Sequence, residues 1–177
     1  MALLLIDNND SFTYNLHHQI IRLTGIETSV IFYDAMKDHN LSQYDGYIIS
    51  PGPGHPSEYP DYSILFKLEK PIFGVCLGMQ LINSYYDGEV SRLSECRHGV
   101  TLNIEYMDDI EEVAVYNSLY CNKVADGLEV IANYKNIPMA LRHKQLPYAG
   151  VQFHSESFMT PNGDKILNDM LNSIGIV

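Results

Sequence analysis

The chain has 177 residues, of which 46% are hydrophobic and 19% charged. This composition is typical of one globular domain and disfavours an intrinsically disordered chain. Its 22 acidic and 11 basic side chains give a net charge of −11, which disfavours nucleic acid and anionic membranes as partners. No apolar run approaches the roughly 18–20 residues that cross a bilayer, and the short apolar start lacks the basic residues of a signal peptide. Three cysteines without CxxC spacing indicate a reducing, cytoplasmic compartment.

The first half of the chain alternates between strand and helix patterns. Residues 2–6 form the continuous apolar run of a strand buried on both faces, and residues 12–23 have helical apolar spacing that ends at Gly25. The further predicted elements are strands 27–33, 47–50 and 71–75, and helices 62–68 and 77–86. This alternation predicts an α/β fold with a doubly wound, mostly parallel central sheet and helices on both faces.

The second half contains short β-like runs joined by turn-rich links. These runs are residues 101–106, 112–116, 128–134, 139–143 and 148–153, and a helix is predicted over residues 164–174. We expect the runs to be antiparallel additions to the sheet of a single domain that spans residues 1–177. Between two of the runs lies an acidic cluster, which we interpret as a solvated hairpin tip and not as a metal site: Glu105, Asp108, Asp109, Glu111 and Glu112.

The strongest chemical signal is the segment Gly74-Val75-Cys76-Leu77-Gly78, between a predicted strand and a predicted helix. Glycines on both sides of a nucleophile permit the sharp strand-to-helix turn called a nucleophile elbow. The turn places Cys76 at a helix N-terminus, where backbone N–H groups and the helix dipole favour a thiolate. The alternative is a structural cysteine in a glycine-flanked turn.

A candidate base and its orienting group lie near the end of the chain. A thiolate nucleophile needs a proton donor for its leaving group, usually a histidine that a third group orients. His154 follows an apolar strand, and Glu156 comes two residues later. Residues i and i+2 of an extended backbone project on the same side, so the carboxylate can hold the imidazole. We therefore predict that Cys76, His154 and Glu156 act together.

The loop Pro51-Gly52-Pro53-Gly54 follows the third predicted strand. Ligands of parallel α/β sheets bind outside the carboxyl ends of the strands. Glycines at such a position allow backbone N–H groups to approach a ligand oxygen, as an oxyanion hole requires. This loop is therefore predicted to be a second wall of the site.

These motifs resemble those of the triad-type (class I) glutamine amidotransferases. The whole chain resembles the small subunits of anthranilate synthase and aminodeoxychorismate synthase. Four segments match in order and spacing: LLIDNNDSFTYNL (4–16), SPGPGHP (50–56), PIFGVCLGMQ (71–80) and GVQFHSES (150–157). The resemblance implies a flavodoxin-like fold, hydrolysis of L-glutamine through a cysteine thioester, and delivery of ammonia to a chorismate-binding synthase subunit. It implies no cofactor in this chain, because the family's Mg²⁺ belongs to the synthase.

The resemblance also implies roles for the matching residues. Cys76 would be the nucleophile, and His154 and Glu156 would complete the triad. The residues that would bind glutamine are Gly52, Pro53, Gly54, Leu77, Gln80, Ser118 and Leu119. The backbone N–H groups of Gly54 and Leu77 would form the oxyanion hole.

Four positions depart from the family's usual pattern, and none is a triad residue. Met79 and Asn117 stand where histidine is usual, Ser155 where proline is usual, and Val100 where lysine is usual. Other functions remain open at this point: the same activity in the service of another synthase, a free-standing thiol hydrolase of γ-glutamyl substrates, or a binding module that retains the fold. Residues 10–15 follow the first strand and are therefore a candidate docking surface for the synthase.

Overall fold

A nine-stranded sheet forms the centre of the computed structural model, which describes residues 1–177. The strands of the chain are β1 (Ala2–Asp7), β2 (Glu27–Phe32), β3 (Gly46–Ile49), β4 (Ile72–Val75), β5 (Glu89–Arg92), β6 (Val100–Tyr106), β7 (Asp109–Val115), β8 (Leu119–Lys123), β9 (Leu128–Tyr134), β10 (Ile137–His143) and β11 (Tyr148–Val151). The α-helices are α1 (Thr13–Thr24), α2 (Tyr62–Phe66), α3 (Leu77–Tyr85) and α4 (Gly163–Ser173). Short 3-10 helices span Tyr33–Asp38, Leu41–Gln43 and Pro56–Glu58.

The large sheet has a parallel part and an antiparallel part. The strand order is β2-β1-β3-β4-β11-β10-β9-β6-β7. The first five strands of this order are parallel to their neighbours, and the pairs from β11–β10 onward are antiparallel. Strands β5 and β8 form a separate antiparallel pair. The predicted α/β, mostly parallel fold with antiparallel additions is confirmed.

Alternating side chains of the central strands supply two apolar cores. Leu3 and Leu5 of β1 face α1 and α4, whereas Leu4 and Ile6 face α2 and α3. Full burial of one such side chain contributes about 1.5–3 kcal/mol to stability. Both faces of the sheet are therefore covered by helices, as predicted, and its carboxyl edge is left for the site.

Strand β11 corrects one prediction. We expected residues 148–153 to form an antiparallel addition to the sheet. This expectation is wrong for one of the two neighbouring strands, because β11 is antiparallel to β10 but parallel to β4. All four of its residues are buried, as is usual for strands inside a parallel sheet. A Cβ at Gly150 would lie 2.8 Å from Gly74 O and 2.9 Å from Met79 Cα, so glycine permits this close packing.

Sequence patterns missed some elements and shifted others. Strands β5 and β8 were not predicted, because Glu89–Arg92 has no apolar alternation and is mostly exposed. Helix α2 ends at Phe66, two residues earlier than predicted. The acidic cluster does lie at the β6–β7 hairpin, but Glu111 is an exception to the solvated interpretation. It is buried, and its Oε2 accepts a 2.7 Å hydrogen bond from Asn162 Nδ2.

Candidate active site

Cys76 forms a strained turn between β4 and α3. Its φ of +54° and ψ of −102° lie outside the regions that L-residues favour. Its N–H donates a 2.7 Å hydrogen bond to Val151 O, which ties the turn to β11. The predicted elbow is present, and Cys76 precedes the first turn of α3.

The flanking glycines allow helix α3 to lie directly against the sheet. A Cβ at Gly78 would be 2.6 Å from Ile49 O, and one at Gly74 would be 2.4 Å from the carbonyl carbon of Gly78. Neither obstacle is a mobile side-chain end. Both glycines are therefore required by backbone packing, and this packing holds the cysteine in its strained conformation.

We expect Gly78→Ala to lower the free energy of unfolding by about 2 kcal/mol or more, because overpacking against fixed backbone strains the elbow. Urea denaturation provides the measurement. Gly127→Ala is the matched control, since its added methyl would meet only the His143 side chain, at 3.3 Å. Equal stability of the two variants would contradict the packing explanation.

The other two cysteines lie in different environments. Burial raises the pKa of the Cys121 thiol to about 12, so this cysteine is unreactive at neutral pH. Cys96 is exposed in the loop between β5 and β6. Among the three, only Cys76 combines a helix N-terminus with a neighbouring histidine and carboxylate.

His154 and Glu156 make the predicted contact with a different backbone from the one expected. Nδ1 of His154 lies 2.7 Å from Glu156 Oε1, and both side chains are almost completely buried. The backbone is not extended, however. His154 N–H donates to Ala114 O of β7, and a turn follows in which Ser157 N–H donates to His154 O. The Glu156 carboxylate therefore reaches the His154 imidazole because of this turn, and not because the two side chains lie on the same face of an extended strand.

The electrostatic environment of His154 favours the imidazolium. Burial lowers the pKa of His154, but the neighbouring Cys76 sulfur in its ionised form and the hydrogen-bonded Glu156 carboxylate outweigh burial and raise that pKa to about 10. Nε2 is buried without a hydrogen-bond partner. A protonated, unpartnered nitrogen near the cysteine is suited to donate a proton to a leaving group.

We expect His154 to remain protonated at neutral pH, with its titration observed by NMR of labelled histidine well above the ordinary pKa of about 6.5. Glu156→Gln removes the carboxylate charge and is expected to lower the pKa. Because the pKa of His154 is raised in the folded state, its protonation adds to the free energy of unfolding. This contribution is fully present below about pH 6.5. It is lost as pH rises towards the folded pKa of about 10. A pKa near or below 6.5 in the unsubstituted protein would contradict this assignment.

A cavity of about 140 Å³ lies beside Cys76. Its lining residues are Gly52, Pro53, Gly54, Cys76, Gln80, Tyr116, Asn117, Ser118 and Leu119. The structure therefore brings six of the seven predicted glutamine-binding residues together. Leu77 is the exception: it does not line this cavity, and its side chain packs behind the loop, where a Cβ at Gly52 would meet Leu77 Cδ2 at 2.7 Å.

A buried hydrogen-bond network supports the glycine loop. Asn8 Nδ2 donates to Ser50 O, and Tyr62 Oη donates to Asn8 Oδ1. Asn8 N–H donates to Ser50 Oγ. Sequence reasoning missed this support, because Asn8 appeared only as part of a loop before the first helix. The family motif around it was the one available signal.

A second set of amides links the cavity wall to Cys76. Gln80 Nε2 donates to Leu119 O at 3.1 Å and to Gln152 Oε1 at 2.9 Å. Gln152 Nε2 donates to Cys76 Sγ at 3.4 Å. Gln152 was not among the predicted site residues, although it lies in the GVQFHSES segment that carried the resemblance.

Aromatic rings enclose His154. The ring centroids of Phe12 and Tyr116 lie 5.1 Å and 4.9 Å from that of the imidazole. Phe12 is the N-cap residue of α1, so the start of the first helix reaches the site. These rings restrict water around a group that must hold and release one proton.

No helix of the structure is long and apolar enough to cross a membrane.

Comparisons with known proteins support one family. The model of the glutamine amidotransferase class-I family matches residues 4–174. Anthranilate synthase component 2 of Leptospira biflexa is 34% identical over 98% of this chain and 100% of that protein. Aminodeoxychorismate synthase of Streptomyces griseus is 37% identical over 94% of this chain, which spans only 25% of that protein.

Among solved structures, a glutamine amidotransferase of Thermotoga maritima has a TM-score of 0.75 at 14% identity, over 98% of this chain and 96% of that one. At this identity the likeness supports the fold alone. The family match and the relatives extend over nearly the whole sequence. On this evidence the chain belongs to the class-I glutamine amidotransferases and is an enzyme of that family.

Proposed function

We propose that this chain is the glutamine-hydrolysing subunit of a chorismate-using synthase that makes anthranilate or 4-amino-4-deoxychorismate. The observation that carries the proposal is the cavity wall on which Cys76 meets Gly52, Gly54 and Ser118, together with the His154–Glu156 pair, whose imidazole interacts with the Cys76 sulfur. The names of the full-length relatives supply the synthase. A cytoplasmic location fits this role.

In the proposed mechanism, Sγ of Cys76 attacks the side-chain carbonyl carbon of L-glutamine. A carbon–sulfur bond forms, and backbone N–H groups of the Gly54 and Leu77 segments stabilise the negative oxygen. The carbon–nitrogen bond then breaks, and His154 supplies the proton with which ammonia leaves. Water, deprotonated by His154, hydrolyses the thioester, so that glutamate leaves and the thiolate returns.

Glu156 and the cavity wall have supporting roles in this mechanism. Glu156 orients the imidazole and stabilises the imidazolium through the 2.7 Å contact with Nδ1. Ser118, Leu119 and Gln80 would bind the amino-acid end of glutamine. Thioester chemistry needs no cofactor in this chain, and Mg²⁺ would belong to the partner, where chorismate binds.

The partner would dock over the carboxyl edge of the sheet. Tyr14 on α1 is 62% exposed and Phe158, two residues after Glu156, is 92% exposed. Exposed aromatic side chains of this size are common anchors of protein interfaces. A synthase bound there would cover the thiolate and retain ammonia.

The test is glutaminase activity with and without the cognate synthase. We expect the isolated chain to hydrolyse glutamine poorly and the partner to stimulate it at least ~10-fold, a coupling of about 1.4 kcal/mol. Tyr14→Ala and Phe158→Ala should weaken the stimulation without unfolding the chain. Ile110→Ala, which removes an exposed side chain from the β7 edge, is the matched control.

Two results would contradict the proposal. Full activity of the isolated chain would favour a free-standing hydrolase of γ-glutamyl substrates. Absence of glutamine hydrolysis in the assembled complex would favour a binding module.

A further inference from the structure

The Cys76 sulfur has a hydrogen-bond donor that lies outside the triad. Gln152 Nε2 is 3.4 Å from Sγ, and the Gln152 side chain is completely buried. Gln152 is the residue after β11, so it reaches the sulfur from the neighbouring strand and not from the elbow itself. The mechanism above leaves this contact without a role.

A backbone carbonyl determines which end of the Gln152 amide faces the sulfur. Leu119 O can only accept, so the end of Gln80 that faces it must be the NH₂ group. The same NH₂ group points to Gln152, which must therefore present Oε1 to Gln80. The remaining end of Gln152, its NH₂ group, is left to donate to Sγ.

We propose that Gln152 is a catalytic hydrogen-bond donor that stabilises the Cys76 thiolate, and that Gln80 is the positioning residue that orients it. The reaction that this donor would assist is the glutamine hydrolysis of the proposed function, and in that respect the inference rests on the proposed function. A donor to an ionised acceptor contributes more than a donor to a neutral one, so the contact favours the thiolate over the thiol.

The Gln152 donor would act in two steps of the reaction, the attack of the thiolate and the hydrolysis of the thioester. Before the attack it maintains a charged nucleophile. During thioester hydrolysis the carbon–sulfur bond breaks and its electron pair returns to Sγ, so the same N–H stabilises the leaving thiolate. The amide does not titrate in the neutral range, and this contribution therefore persists when His154 changes its protonation state.

The experiment measures alkylation of Cys76 by iodoacetamide as a function of pH, with peptides quantified by mass spectrometry. Gln152→Met removes the donor at similar length, and Gln152→Glu places a carboxylate near the sulfur. Exposed Cys96 is an internal reference in every sample. Gln145→Met, at an exposed glutamine away from the site, is the matched control.

We expect the pH of half-maximal Cys76 alkylation to rise by about one unit in Gln152→Met and by about two in Gln152→Glu. The profiles of Cys96 and of the control variant should not move. Gln80→Met should shift the Cys76 profile in the same direction by a smaller amount, because the Gln152 amide is then free to rotate. If substitution of the fully buried Gln152 prevents folding, the Gln80→Met variant alone tests whether the Gln152 amide stabilises the thiolate.

An unchanged Cys76 profile in a folded Gln152→Met variant overturns the inference, as does an unchanged profile in Gln80→Met when the Gln152 variants do not fold. Glutamine hydrolysis by the complex of the unsubstituted chain is measured in parallel. If hydrolysis is absent but the alkylation shift occurs, the proposed function fails and the donor role stands.

Discussion

Cys76→Ser is expected to abolish glutamine-dependent product formation by the assembled synthase, while synthesis from added ammonium salt continues. Serine fits the strained elbow, but its hydroxyl is far less ionised than a thiol and is not activated by this site. Loss of a nucleophile commonly reduces turnover by about 10⁴-fold or more. In the proposed function the ammonia-using step belongs to the partner, so it would not need Sγ.

Paired assays of the complex with glutamine and with ammonium salt provide the measurement. Cys96→Ser is the matched control, because it makes the same atomic change at an exposed thiol and should retain both activities. Equal loss of the two activities in Cys76→Ser would contradict the division of labour between the subunits.

His154→Asn is expected to lower kcat for glutamine hydrolysis by about 10²–10⁴-fold, the usual contribution of general acid–base catalysis. Glu156→Gln should be milder, since a glutamine oxygen can still accept from Nδ1 at the position of Oε1, 2.7 Å away. The carboxylate stabilises the imidazolium but supplies no proton itself.

Steady-state kinetics of the two variants decide this prediction, together with unfolding curves that exclude a loss of fold. His39→Asn, at a partly buried histidine that contacts Tyr44 outside the site, is the control. An active His154→Asn variant would refute the triad.

The elbow could be predicted from sequence because its determinants are local. Gly74 and Gly78 surround Cys76 between an apolar strand and a helix, and this pattern is visible in the sequence. The clash that Gly74 avoids involves the nearby backbone of Gly78, whereas the one that Gly78 avoids, with Ile49 O of β3, appears only in the structure. The parallel strands β1 to β4 were predictable for a similar reason, since strand and helix patterns alternate regularly in the first half of the chain, whereas the parallel pairing of β11 was not.

Contacts between residues that are distant in sequence were harder to predict. The spacing of His154 and Glu156 led to the right contact, but the assumed extended backbone was wrong because β7 holds His154 at the start of a turn. Gln152 was missed because an amide after an apolar strand has no evident chemistry until Gln80 and Leu119 are known to surround it. The pairing of β5 with β8 likewise has no alternating pattern to reveal it.

The position of β11 has a consequence for synthesis on the ribosome. The Cys76 turn is tied to Val151 O, and the sulfur accepts from Gln152, so both contacts await residues made some 75 positions later. Parallel pairing across such a separation is slow to form. A nascent chain therefore lacks both contacts of its cysteine turn, and the site is complete only after β11 has inserted beside β4.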